Sequence, residues 1–232
     1  MIGFYYMKVI KQEDLRLQIV NAAKQIYNKN LVEAGEGNIS MRISGKEELL
    51  ITPTYNKYYN LNKQDVVHID FNGNKLSKGR GPSSEYRLHV AVYQSRPRAM
   101  AVIHTHSPYA TVMSVARKAI PILLEEQVIF LGGSVPISEF GPANTLDIGI
   151  KAVEALGTRN GTLMANHGSL VCGRTIDDTI KMAELVEKLA LIYTQANSHG
   201  GVTEIAAESC SHFMDKFEQD FATHAQEHGI CE

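Results

Sequence analysis

Along residues 13–32 the apolar side chains Leu15, Ile19, Ala22, Ala23, Ile26, Tyr27 and Leu31 recur at three- and four-residue intervals. That spacing predicts one face of an amphipathic helix, and Gly35 and Gly37 mark its end. The period then changes to two. Ile39 to Ile43 alternates with polar residues, and Glu48 to Ile51 follows a Ser-Gly-Lys turn, so a β-hairpin is predicted. A second hairpin is expected over Val66–Phe71 and Lys75–Ser77, turning at Asn72-Gly73-Asn74. Further on, helices are predicted over 83–94, 108–116, 144–156 and 176–197, and strands over 99–104, 135–139, 162–165 and 169–171. A last helix is expected from Thr203 to His224. Early hairpins followed by alternating helices and strands imply an α/β fold with a mixed, largely antiparallel central sheet flanked by helices. The 232 residues suit a single domain spanning 1–232, with 1–10 disordered and 203–232 a C-terminal helix and tail.

Charge and composition narrow the partners. The net charge is -2 with no Lys/Arg run, which argues against nucleic acid. The longest apolar stretches, Ile120–Leu124 and Val128–Leu131, are far too short to span a bilayer. The N-terminal Met-Ile-Gly-Phe-Tyr-Tyr-Met is apolar but lacks the basic flank of a signal peptide, and Met7 is an alternative start. Cys172, Cys210 and Cys231 are odd in number and irregularly spaced. They imply no disulfide framework and a reducing, cytoplasmic setting.

The histidines carry the first chemical signal. In His104-Thr105-His106, residues i and i+2 of a strand point to one side, so two imidazoles can reach one ion. His167, in Ala-Asn-His-Gly-Ser, follows a buried-looking strand, and Gly168 permits a tight turn there. Three neutral imidazoles suit Zn²⁺ and leave a coordination position open. An isolated His-x-His is nevertheless common, and spacing alone does not join His167 to the other two. His68, His89, His199, His212, His224 and His228 are given no role.

Gly81-Pro82-Ser83-Ser84-Glu85 opens a helix with Ser83 or Ser84 as N-cap and Glu85 in the first turn. Such a turn binds anions, although an ordinary capped helix has the same pattern. Gly35-Glu36-Gly37-Asn38 is a second loop with exposed N–H groups, and Thr52-Pro53-Thr54 reads as a turn.

Six motifs occur in order: Gly37-Asn38-Ile39-Ser40, Ile51-Thr52-Pro53-Thr54, Pro82-Ser83-Ser84-Glu85, Tyr93-Gln94-Ser95-Arg96-Pro97, Val102-Ile103-His104-Thr105-His106 and Asn166-His167-Gly168. This series resembles the class II aldolase/adducin family, most closely its L-fuculose-1-phosphate aldolase branch, from about Asp14 to Gln195. The resemblance implies a three-layer α/β sandwich assembled as a homotetramer, with active sites at subunit interfaces. It implies Zn²⁺ held by His104, His106 and His167, with Glu85 as acid/base and a further zinc ligand when substrate is absent. Gly37, Asn38, Thr54, Tyr55, Ser83 and Ser84 match the substrate phosphate site. The activity implied is retro-aldol cleavage of a phosphorylated ketose to dihydroxyacetone phosphate and a small aldehyde.

Two positions depart from the pattern. Tyr55 stands where the family's phosphate loop usually has glycine. Glu125-Glu126-Gln127 occupies the segment in which the aldolase branch often has a tyrosine and related dehydratases a catalytic glutamate. An exposed acidic pair on a loop or at a helix start explains Glu125 and Glu126 equally well. A methylthioribulose-1-phosphate dehydratase, an epimerase and a decarboxylase on the same scaffold therefore remain alternatives, as does a non-catalytic adducin-like interaction module.

Overall fold

A computed structural model of the protein describes residues 12–33, 35–54, 57–217 and 219. Its centre is one six-stranded sheet. The strands are β1 (Asn38–Arg42), β2 (Glu48–Ile51), β3 (Val67–Asp70), β4 (Ala101–Thr105), β5 (Gly161–Met164) and β6 (Gly168–Gly173). Their spatial order is β3-β2-β1-β4-β6-β5, and all these pairings are antiparallel. An isolated bridge between Ile137 and Leu163 is parallel.

Alternation along each strand splits the core in two. Ile39, Met41, Leu50, Ala101, Ile103, Leu163 and Val171 face one layer, built from α1 (Gln12–Asn28), α3 (Pro108–Val115) and α6 (Ile176–Ser198). Leu49, Ile51, Val102, Met164, Leu170 and Cys172 face the other, built from α2 (Tyr86–Ser95) and α5 (Leu146–Leu156). The result is the expected helix–sheet–helix sandwich.

Several boundaries differ from the expectation, each for a local reason. The first helix stops at Asn28 because Asn30 turns the chain with φ +57°, ahead of the glycines. The second hairpin keeps only its first arm as a strand. The return arm makes a bridge from Lys75 to Ile69, and Ser77 Oγ accepts from the His68 N–H in place of a ladder partner. Residues 135–139 form isolated bridges, Val135 to Ile120 and Ile137 to Leu163, instead of a strand. A short helix, α4 (Glu125–Leu131), starts at the acidic pair, the helix-start alternative for Glu125 and Glu126. The expected C-terminal helix starts late: Ala207–Cys210 is a 3-10 turn and helix follows over 211–217. Residues 1–10, Tyr55 and the end of the C-terminal tail lie outside the described residues.

Candidate metal centre

Period-two geometry sends Val102, His104 and His106 to the α2 side of the sheet, at the end of β4. Asn38 on β1 lies directly opposite His104, and Leu170 on β6 lies opposite on the other flank. The third imidazole arrives on the β5–β6 turn. Asn166 adopts φ +56°, its N–H donates to Ser114 O at 3.1 Å, and Arg117 Nε donates to its Oδ1 at 2.7 Å. The left-handed residue of this turn is thus Asn166, and Gly168 serves close approach instead. A Cβ at Gly168 would lie 2.2 Å from Thr105 O, in the strand that carries two of the histidines. Gly168→Ala is therefore expected to destabilise the fold by about 1–3 kcal/mol, read as a lower urea midpoint with unchanged slope.

Glu85 reaches the same point from the start of α2. It stands at the N-cap position itself, with φ -95° and ψ 16°, and its N–H donates to Ser83 Oγ at 3.3 Å. The helix begins at Tyr86, three residues after the expected start at 83, so Glu85 precedes the first turn in which it was expected. The Glu85 side chain turns inward and does not cap.

His104, His106, His167 and Glu85 each offer one ligand atom, all within 4.8 Å of one another. His104 Nε2 is 2.8 Å from His106 Nε2 and 3.1 Å from His167 Nε2. Glu85 Oε2 is 3.4 Å from His104 Nε2, and Oε1 is 3.0 Å from His167 Nε2. Ligands about 2.0–2.1 Å from one tetrahedral ion would be ~3.3 Å apart, so the spacing suits a shared cation. His104 Nδ1 donates to Ser169 O at 2.8 Å, which fixes the tautomer and leaves the Nε2 lone pair facing the cluster. Glu85 Oε1 is buried and accepts no hydrogen bond. Buried lone pairs turned toward one another without a donor are costly, and a cation at their centre would satisfy them. Three nitrogens and one carboxylate oxygen are a donor set that suits a borderline-soft divalent ion.

Electrostatics agree. Burial pushes the His104 imidazole well down, opposing the pull of Glu85, and burial also lowers His106. Both are neutral at pH 7, the form that binds metal. Burial pushes the Glu85 carboxyl up, but the adjoining His167 and the hydrogen bond from Asn38 Nδ2 pull it below its usual range. Glu85 is therefore ionised.

Of the residues matched to the phosphate site, Gly37, Asn38 and Ser83 adjoin the cluster through His104 and Glu85. The Thr52 N–H donates to Ile39 O, the Ser83 N–H to Thr52 O, and Pro53 bridges to Pro82, so the Gly37, Thr54 and Ser83 segments form one corner. Gly37 is confined: its φ is +62° and a Cβ would lie 2.6 Å from His104 O. Ser83 is buried and Ser84 exposed. The Asn38 side chain turns away from this corner, giving its Nδ2 to Glu85 Oε2 at 2.9 Å.

Supporting residues escaped sequence reasoning. Tyr58 O–H donates to the carbonyls of Glu36 and Gly37, at 2.6 and 2.7 Å, and pins the glycine loop. Glu187 on α6 accepts from the N–H groups of Tyr109 and Ala110, capping α3 just after His106. Nothing in the local sequence signals a cap from a helix 77 residues away. Glu126 is ion-paired with Lys188 at 2.6 Å, and Glu125 opens α4 exposed to solvent. Neither position marks them as reacting groups.

The family model described as Class II Aldolase and Adducin N-terminal domain matches residues 17–194. The chain belongs to the class II aldolase and adducin family. It is 33% identical over 184 residues to an L-fuculose phosphate aldolase of Escherichia coli (strain K12), a match covering 79% of this chain and 84% of that one. It is 32% identical over 203 residues to a 5-methylthioribulose-1-phosphate/5-deoxyribulose-1-phosphate aldolase of Rhodospirillum rubrum, covering 88% and 90%. A solved L-fuculose 1-phosphate aldolase superposes with a TM-score of 0.86 at 28% identity, over 91% of this chain and 99% of that one. As a class II aldolase, the protein is a metal-dependent aldehyde-lyase. Among the described residues no helix is long and apolar enough to cross a membrane.

Proposed function

We propose that this class II aldolase is a zinc-dependent enzyme that cleaves a ketose 1-phosphate to dihydroxyacetone phosphate and a small aldehyde. The observation that carries the reading is the convergence of His104, His106, His167 and Glu85 on one point. The two named relatives both act on phosphorylated deoxy- or thio-ketoses, which supports the same substrate class.

His104, His106 and His167 would hold the ion through their Nε2 atoms, which lie close together. When bound, the ion supplies Lewis-acid polarisation of a carbonyl oxygen. Gly37, Asn38, Thr54, Tyr55, Ser83 and Ser84, the residues that the family resemblance assigns to it, bind and orient the phosphate end. Glu85 moves the proton at C3. In cleavage it takes up the proton that leaves the C4 hydroxyl as the C3–C4 bond breaks and delivers it to C3; in the synthetic direction it removes the C3 proton and the aldehyde oxygen gains one. The enzyme works in the cytoplasm as a homotetramer. Val112 and Val115 on α3, with Leu146 and Ile150 on α5, are each between 46% and 57% exposed, apolar surface that assembly would cover.

A panel containing L-fuculose 1-phosphate and 5-deoxyribulose 1-phosphate, assayed for dihydroxyacetone phosphate, tests the reading. Release of that product, lost on chelation and regained with zinc, is expected. Loss of water from a sugar whose carbon skeleton stays whole would replace the aldolase by a dehydratase.

A further inference from the structure

Behind Glu85 a file of polar side chains runs into the protein. Glu85 Oε2 accepts from Asn38 Nδ2 at 2.9 Å. Asn38 Oδ1 touches His89 Nε2. His89 Nδ1 lies 2.7 Å from Ser40 Oγ, which lies 2.8 Å from the Tyr93 hydroxyl. Asn38, Ser40, His89 and Tyr93 are all buried, none more than 2% exposed. Glu85, His89 and Tyr93 are spaced by four along one helical face, and Asn38 and Ser40 by two along one strand face.

The hydrogens in this file can be assigned by elimination. Asn38 Nδ2 donates to Glu85 Oε2, so its Oδ1 is the atom that faces His89. That oxygen only accepts, so His89 Nε2 carries the proton. A neutral imidazole has one N–H, so His89 Nδ1 is bare and takes the Ser40 hydroxyl proton. Ser40 Oγ then accepts from the Tyr93 O–H. Each donor meets one acceptor, and every N–H and O–H points the same way, toward Glu85. The opposite flip of Asn38 would set two acceptor oxygens against each other in a dry site, which is costly.

We infer that His89, held as the Nε2–H tautomer, is a positioning residue that fixes the Asn38 amide and through it the orientation of Glu85, resting on the reading of Glu85 as the acid/base group. Complete burial supports a neutral ring, since it pushes the His89 imidazole down to about 4 against the pull of Glu85. With Oε2 tied to Asn38, Oε1 is the oxygen left facing the metal cluster.

Two measurements on the full-length, zinc-loaded protein test this. Long-range ¹H–¹⁵N correlation of the imidazoles at neutral pH should show His89 with a protonated Nε2 and a bare Nδ1. A protonated Nδ1 overturns the inference, and this readout needs neither variant nor turnover. In the second, His89→Leu should keep its zinc and a near-normal KM while kcat falls about 10–100-fold. His89→Gln, which can still donate to Asn38, should recover most of that loss. Equal losses in both variants, or loss of zinc from both, would reduce His89 to a packing role. If the wild type turns over no ketose 1-phosphate, the proposed reaction fails, while the tautomer measurement still decides the positioning role.

Discussion

Glu85→Gln is expected to leave the zinc content of the protein unchanged and to lower kcat by about 10²–10⁴-fold, the range for loss of a positioned proton-transfer group. The substitution is isosteric, so the start of α2 and the contact with Asn38 are preserved. The three imidazoles remain, and His104 keeps its Ser169 bond, so the metal has three ligands in place. What disappears is a group that can carry a proton at C3. Substrate binding depends on other segments, so KM should move little, the pattern of an interaction used only in the transition state. Exchange of the C3 hydrogen of dihydroxyacetone phosphate with deuterated solvent isolates that proton transfer from cleavage of the carbon–carbon bond. It should slow in parallel with kcat. A Glu85→Gln variant that exchanges and cleaves at near-normal rates would remove Glu85 from the chemistry.

The sequence disclosed features whose cause is local. His-x-His on a strand must present both rings to one face, and β4 does so. The alternation read over Ile39–Ile43 marks the face of β1 that enters one core. Features that depend on pairing were hidden. Nothing near His167 says that β6 will lie against β4 in the register that sets Ser169 beside Thr105, and only that register carries the third ring to the other two. The family resemblance filled this gap, because a motif series encodes the outcome of pairing without explaining it. Boundaries failed where one residue decides them. Asn30 and Asn166 take left-handed backbone that glycine was expected to supply. His89 is given no role by the sequence because no local motif names a partner for it. The available signal was the four-residue spacing of Glu85, His89 and Tyr93, three polar groups on a face that should have been apolar. A polar stripe on a buried face needs partners, and here it finds them in Asn38 and Ser40.

His104→Ala should abolish the stabilisation of the fold by zinc together with the activity. A ligand that binds only the folded state stabilises it by RT ln(1 + [L]/Kd), about 4 kcal/mol at a thousandfold excess over Kd. The wild-type melting temperature should therefore climb with added zinc and fall back on chelation. His104 is the ligand whose loss tells most. It is fully buried, its Nε2 lies within 3.4 Å of a ligand atom from each of His106, His167 and Glu85, and its other nitrogen is anchored to the backbone of β6. His106, by contrast, sits at the rim with 28% of its side chain exposed. Truncating a buried ring also costs stability through the cavity it leaves, so the bare difference in melting temperature between the two proteins is ambiguous. The informative quantity is the change produced by zinc within each protein, because the cavity contributes equally with and without the ion. That difference should be large in the wild type and near zero in the variant. An equal zinc-induced shift in both would mean that the ion stabilises the protein from another place, and the three histidines would then have to be explained without it.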